Sequence, residues 1–112
     1  MLPKVNLLRK EKDFEAVFKN NRSYYGSCIG IKVRKNEDET LRFGFLVGGK
    51  VSKKAVERNL IKRQIKAVVK DNLANINKGN DVVFITLPNI LGKEFVNIKD
   101  EVAKGLKILR VL

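Results

Sequence analysis

The chain has 112 residues, with 24 Lys/Arg against 12 Asp/Glu, no histidine, one cysteine and a formal net charge of +12. That length suits a single domain, residues 1–112, holding a core without staples, and the cation excess makes a polyanion the expected partner, nucleic acid ahead of a membrane surface. The lone Cys28 excludes an intramolecular disulfide, no window approaches the ~18 apolar residues of a membrane span, and MLPKVNLLRKEKDF lacks a signal-peptide run, so a cytoplasmic location is expected.

After a basic lead-in, Phe14, Val17 and Phe18 at i, i+3, i+4 predict a short amphipathic helix over Asp13 to Asn20. Ser27 to Arg34 alternates as a strand does, with Ile29, Ile31 and Val33 on one face and Cys28, Gly30, Lys32 and Arg34 on the other. The acidic run Lys35 to Thr40 reads as a hairpin loop leading to a second strand, Leu41 to Val47, which Gly48-Gly49 breaks.

Lys50 to Lys70 carries eight Lys/Arg and one acid, Glu57, on a single expected helix that Ser52 could cap. On a helical wheel Asn59, Lys62, Arg63, Lys66 and Lys70 share one side, and Ile61, Ile65, Val68, Val69 and Asn72 another. The apolar stripe needs a core, which leaves the basic stripe facing outward as a preformed ridge for polyanions. So strong a sign bias exceeds what solubility needs, since a merely solvated face mixes in acids. Lys78-Gly79-Asn80 is a turn, Asp81 to Thr86 is a continuous apolar strand suited to a central position, and Pro88 ends it. Phe95, Ile98, Val102, Leu106 and Leu109 recur at helical spacing and predict a C-terminal helix on the sheet. The order helix, strand, strand, helix, strand, helix is that of a small α+β sandwich, with the basic helix in a strand-helix-strand connection.

Chemistry by the polypeptide itself is poorly provided for. No histidine serves acid-base work, Cys28 has no histidine partner, and zinc has no ligand set, so no catalytic and no metal-binding residue is assigned. GFLVGGKV, Gly44 to Val51, approaches a phosphate loop, but Val51 stands where a hydroxyl should reach magnesium and Phe45 to Val47 belong to a strand. Glu37, Asp38 and Glu39 cluster as a solvated turn would. Phe14 and Phe18 suit a core at that spacing, or could stack unpaired bases beside the basic ridge. The Cys28, Gly30 and Lys32 face could likewise admit a nucleic-acid backbone or simply face solvent.

Glu57-Arg58-Asn59-Leu60-Ile61-Lys62-Arg63 resembles the R-N-R-I-K-R helix of the bacterial ribonuclease P protein family. Asp13-Phe14 with Val17-Phe18-Lys19 is similar to that family's D-F-x-x-V-F-K element, Leu41-Arg42-Phe43-Gly44 to its second strand, and Asp81 to Ile85 followed by Pro88 to its D-[YV]-[VI]-x-I strand. Three places depart from the pattern: Leu60 for the second arginine, Gly48-Gly49-Lys50 for an S-K-K type stretch, and Leu87 for the arginine before Pro88.

The resemblance implies a two-layer, ribosomal-protein-like sandwich with a four-stranded or similar sheet and a left-handed crossover around the basic helix; spacing alone would imply a right-handed one. It also implies a noncatalytic subunit that binds a catalytic RNA and the 5′ leader of precursor tRNA, the holoenzyme removing the leader by phosphodiester hydrolysis. No cofactor is then expected on the protein, and Mg2+ belongs with the RNA. Carried over residue by residue, Lys53, Lys54, Arg58, Asn59, Lys62, Arg63, Lys66 and Lys70 would contact the catalytic RNA, and Phe14, Phe18 and Lys32 would line the leader cleft. A ribosomal-protein-like RNA binder without a cleft, and a self-sufficient protein nuclease, are the competing expectations.

Overall fold

The computed structural model describes residues 2–112. Three helices, α1 (Glu11–Lys19), α2 (Ala55–Asn72) and α3 (Phe95–Ile108), pack on a four-stranded sheet of β1 (Arg22–Tyr25), β2 (Ile29–Lys35), β3 (Leu41–Leu46) and β4 (Asn80–Thr86). The strand order is β1-β2-β4-β3, with β3 and β4 parallel and the other pairs antiparallel. β4 is buried along almost its whole length, which is why it takes an interior place, as its apolar run demanded. The parallel β3 and β4 are joined through α2, so the crossover carries the basic helix.

The main core lies between one sheet face and α2 with α3. Ile31, Val33, Phe43, Val82 and Phe84 meet Ile61, Ile65, Val68 and Val69 from α2 and Ile98, Val102 and Leu106 from α3. Burying α2's four branched residues contributes roughly 1.5–3 kcal/mol per side chain, and that anchoring turns the opposite stripe to solvent. On the other face α1 makes a smaller cluster in which Val17 and Leu8 meet Val83, with Phe14 and Ile85 beside them.

Several expectations are corrected. The expected hairpin loop Lys35 to Thr40 starts one residue later, since Lys35 ends β2, and closes no hairpin, because β4 lies between β2 and β3. β1 has no counterpart among the expected strands: Arg-Ser-Tyr-Tyr is an edge strand with only Tyr24 half-buried, so it lacks the apolar alternation that marks a strand. Cys28 does not share the open face with Gly30 and Lys32; it precedes β2 and is fully buried in the main core. Phe95 is 37% exposed while its helical partners Ile98, Val102 and Leu106 are buried.

Helix α2 begins at Ala55, with Lys54 as its cap residue, later than Ser52 suggested. The Ser52 hydroxyl still braces this turn, accepting the Lys54 N–H at 3.1 Å and donating to Glu57 Oε1 at 2.6 Å. Lys53 and Lys54 therefore stand on the approach to the helix.

Candidate nucleic-acid interface

Along α2 the buried stripe positions the cations by elimination. Asn59, Arg63 and Lys70 are exposed, Arg58, Lys62 and Lys66 are half-buried, and Lys53 and Lys54 are exposed just before the helix. Among the described residues both ion pairs are made by Arg42, so no cation from Lys50 to Lys70 is neutralised by an acid within the fold. The charges instead share one ridge, where they raise the local potential for a phosphate backbone.

Two members of the ridge have specific geometry. Arg58 donates from Nη1 to the Ser52 carbonyl at 2.9 Å, which ties its stem to the turn and leaves its charge unpaired. Lys66 holds its ammonium 5.5 Å from the centre of the Phe45 ring, a cation–π contact that bends the chain towards the β3 edge. Lys62 and Lys66 share a shallow depression of about 170 Å³ with Arg9, Phe14 and Phe45. The structure thus brings Phe14 together with the helix cations, a link that sequence spacing did not contain.

α1 crosses the second sheet face and leaves part of it open. Its position is set by Val17 on Val83, by Phe14 lying against Gly44 so closely that a Cβ there would clash with the ring, and by Asp13 facing Arg42 at 3.5 Å. Arg42 makes a bidentate pair with the buried Asp81, Nε to Oδ1 and Nη2 to Oδ2 both at 2.9 Å, and Asn36 donates to the same Oδ1 at 2.9 Å. In the sequence Arg42 carries only strand pattern, and its role as the brace beneath α1 needs the fold.

Of the aromatic pair, Phe14 is half-buried and Phe18 is 43% exposed. Lys32 is half-buried on the α1 side of the sheet, and its ammonium lies 5.3 Å from the centre of the Tyr25 ring. Tyr25 has no signal in the sequence beyond an aromatic in a polar run; β1 pairing with β2 puts it opposite Gly30.

One exposed-looking acid is spent structurally. Glu101 on α3 accepts the N–H groups of Cys28 and Ile29 at 2.8 and 3.0 Å, the Ser27 hydroxyl at 3.0 Å and the Cys28 thiol at 3.1 Å. Burial alone raises its pKa, but the hydrogen bonds, led by the Cys28 N–H, outweigh that and hold the carboxyl below its ordinary value. Burial first, then Glu101, pushes the Cys28 thiol up to about 12, so it stays a neutral donor.

The Ribonuclease P family model matches residues 2–110, nearly the whole chain. The chain belongs to the ribonuclease P protein family. A "Ribonuclease P protein component" from Pseudanabaena sp. is 32% identical over 114 residues, covering 100% of this chain and 97% of the relative. Another from Synechocystis sp. is 39% identical over 92 residues, covering 81% and 74%. Among solved structures, the RNase P protein of Staphylococcus aureus superposes with a TM-score of 0.89 at 27% identity, covering 96% of this chain and 98% of that one. The RNase P protein from Thermotoga maritima superposes at 0.79 with 28% identity, covering 94% and 96%. As a member of this ribonuclease P family, the chain is an accessory subunit of an endoribonuclease holoenzyme. No helix among the described residues is long and apolar enough to cross a membrane.

Proposed function

We propose that this subunit works in the cytoplasm as an electrostatic mediator between two RNAs, binding the catalytic RNA of ribonuclease P along α2 and the 5′ leader of precursor tRNA on the α1 side of the sheet. The observation that carries the reading is the α2 ridge, with its cations gathered on one rod and, among the described residues, no acid of the fold paired with any of them. Lys53, Lys54, Arg58, Asn59, Lys62, Arg63, Lys66 and Lys70 meet the catalytic RNA; Phe14, Phe18 and Lys32 meet the leader.

Two polyanions repel within a Debye length of about 8–10 Å at physiological salt. A +12 protein between them replaces condensed cations at the contact, so less Mg2+ is needed to assemble enzyme and substrate. Mg2+ and the bond-breaking step belong to the RNA in this reading, and the protein's residues bind and orient. Leader contacts through stacking and phosphate tolerate sequence, as a substrate set with varied leaders requires.

The test is direct. Adding the purified protein to a bacterial-type catalytic RNA at low Mg2+ should raise precursor cleavage and leave a mature 5′ end. No stimulation, or cleavage by protein rigorously freed of RNA, would overturn the proposal.

A further inference from the structure

Strand register defines a row of side chains on the face that α1 only partly covers. Tyr25 of β1 pairs with Gly30 of β2, Gly30 with Ile85 of β4, and Ile85 with Leu46 of β3. Paired residues share a face, and Ile85 packs beside Val17 and Phe14, so this is the α1 side. The next row down, Lys32, Val83 and Gly44, is where α1 sits, through Val17 and Phe14. The row from Leu46 to Tyr25 therefore runs beside the helix, with Gly30 buried and Ile85 half-buried in its middle and Leu46 37% and Tyr25 55% exposed at its two ends.

The two ends differ chemically. Leu46 ends the strand that leads into α2, and at the same sheet edge Phe45, whose ring turns to the opposite face against Phe84, carries Lys66, so the surface assigned to the catalytic RNA reaches this edge from the other side. The Tyr25 end lies three inter-strand steps away, about 14 Å, room for about four nucleotides at a stacked rise of ~3.4 Å. There the Tyr25 ring rests on bare backbone: a Cβ added at Gly30 would stand 2.6 Å from the ring. Lys32 holds its ammonium near the same ring, at 5.3 Å. An exposed aromatic set against a glycine, with a cation beside it, offers a base a stacking partner and its phosphate a counter-charge in one place.

We propose that Tyr25, seated on Gly30 and flanked by Lys32, is a nucleobase platform at the far end of this row, taking an unpaired leader base several nucleotides from the cleavage site. The inference rests on the leader-cleft reading above and adds to it a residue, a position and a length dependence. Because the ring stacks without reading base edges, the platform accepts any base and favours purines for their larger face.

The experiment uses the reconstituted holoenzyme, the protein with a bacterial-type catalytic RNA, and precursor tRNAs whose leaders are shortened one nucleotide at a time from about eight to none. Wild type should gain affinity as the leader lengthens, and Tyr25→Ala should lose the increment that arrives with the distal nucleotides, about 5- to 50-fold. Tyr25→Phe should retain it, and binding of mature tRNA should be unchanged in both. An abasic residue at the responsible leader position should erase the difference between wild type and Tyr25→Ala. If Tyr25→Ala follows wild type at every leader length, the platform is refuted while the cleft stands. Equal loss on precursor and mature tRNA, or loss in Tyr25→Phe as well, also refutes it. A wild-type holoenzyme indifferent to leader length refutes the cleft and the platform together.

Discussion

Replacing Glu101 by alanine should destabilise the fold by about 2–3 kcal/mol. The carboxylate accepts four hydrogen bonds, two of them from the N–H groups of Cys28 and Ile29, residues with no solvent exposure. Hydrogen bonds to a charged acceptor are each worth about 1.5–3 kcal/mol. Glu101 is itself half-exposed, on the wall of an open groove also lined by Tyr24, Ser27 and Lys104, so water can re-enter and recover part of the loss. For a chain of 112 residues, 1 kcal/mol moves Tm by about 4 °C, which puts the variant roughly 10 °C below wild type.

Glu101→Gln keeps a carbonyl oxygen for the two N–H groups and should cost only about 1 kcal/mol at pH 7. Because the folded-state pKa is depressed, the carboxylate's contribution is complete above the unfolded value of about 4.3 and is lost as pH falls through the folded value. The gap between wild type and Glu101→Gln should therefore close on acidification. Urea unfolding from about pH 7 down to about pH 3 measures both effects. A Glu101→Ala variant within about 0.5 kcal/mol of wild type, the scatter of ordinary surface changes, would refute the reasoning, as would a gap independent of pH.

The remaining expectations concern the RNA face and its support. Lys62→Ala or Arg63→Ala should weaken assembly with the catalytic RNA and make the slope of log K against log salt shallower by about 0.9 for each phosphate left without its cation; an unchanged slope by filter binding contradicts the assigned ridge. Phe18→Ala, at an exposed position, should weaken precursor more than mature tRNA at a stability cost below about 1 kcal/mol, whereas half-buried Phe14→Ala should also lower stability by about 1.5–3 kcal/mol. A Phe14 variant that changes stability alone would make that ring purely core. Arg42→Ala strands the buried Asp81 and removes the brace under α1, and should cost about 3–5 kcal/mol in urea unfolding, with recovery when Asp81→Asn is added.

Much of this protein is legible from residue order because its strongest signals are local. The two stripes of α2 follow from a 3.6-residue period, so Ile61, Ile65, Val68 and Val69 belong to the core and Lys62, Arg63, Lys66 and Lys70 to the outward side before any fold is known. The continuous run Asp81 to Thr86 announces its own central place in the same way. Family membership is equally local, carried by short motifs at α1, β3, α2 and β4.

Tertiary pairing decided the rest. Whether Lys35 to Thr40 closed a hairpin depended on which strand β2 would choose, and burying β4 on both sides outweighed the shorter connection to β3. β1 became a strand only because β2 offered it a free edge, since four polar and aromatic residues carry no period of their own. Cys28 turned inward because Glu101, 73 residues later, came to collect its N–H. Residue patterns could state that the ridge is cationic and outward; only the packing of α1 across the sheet determined that Phe14 would share a depression with Lys62 and Lys66, and only strand pairing put an exposed Tyr25 opposite Gly30 at the far edge. Periodicity reports which side of an element is buried, while the neighbours across a sheet or groove are set by long-range contacts no local window contains.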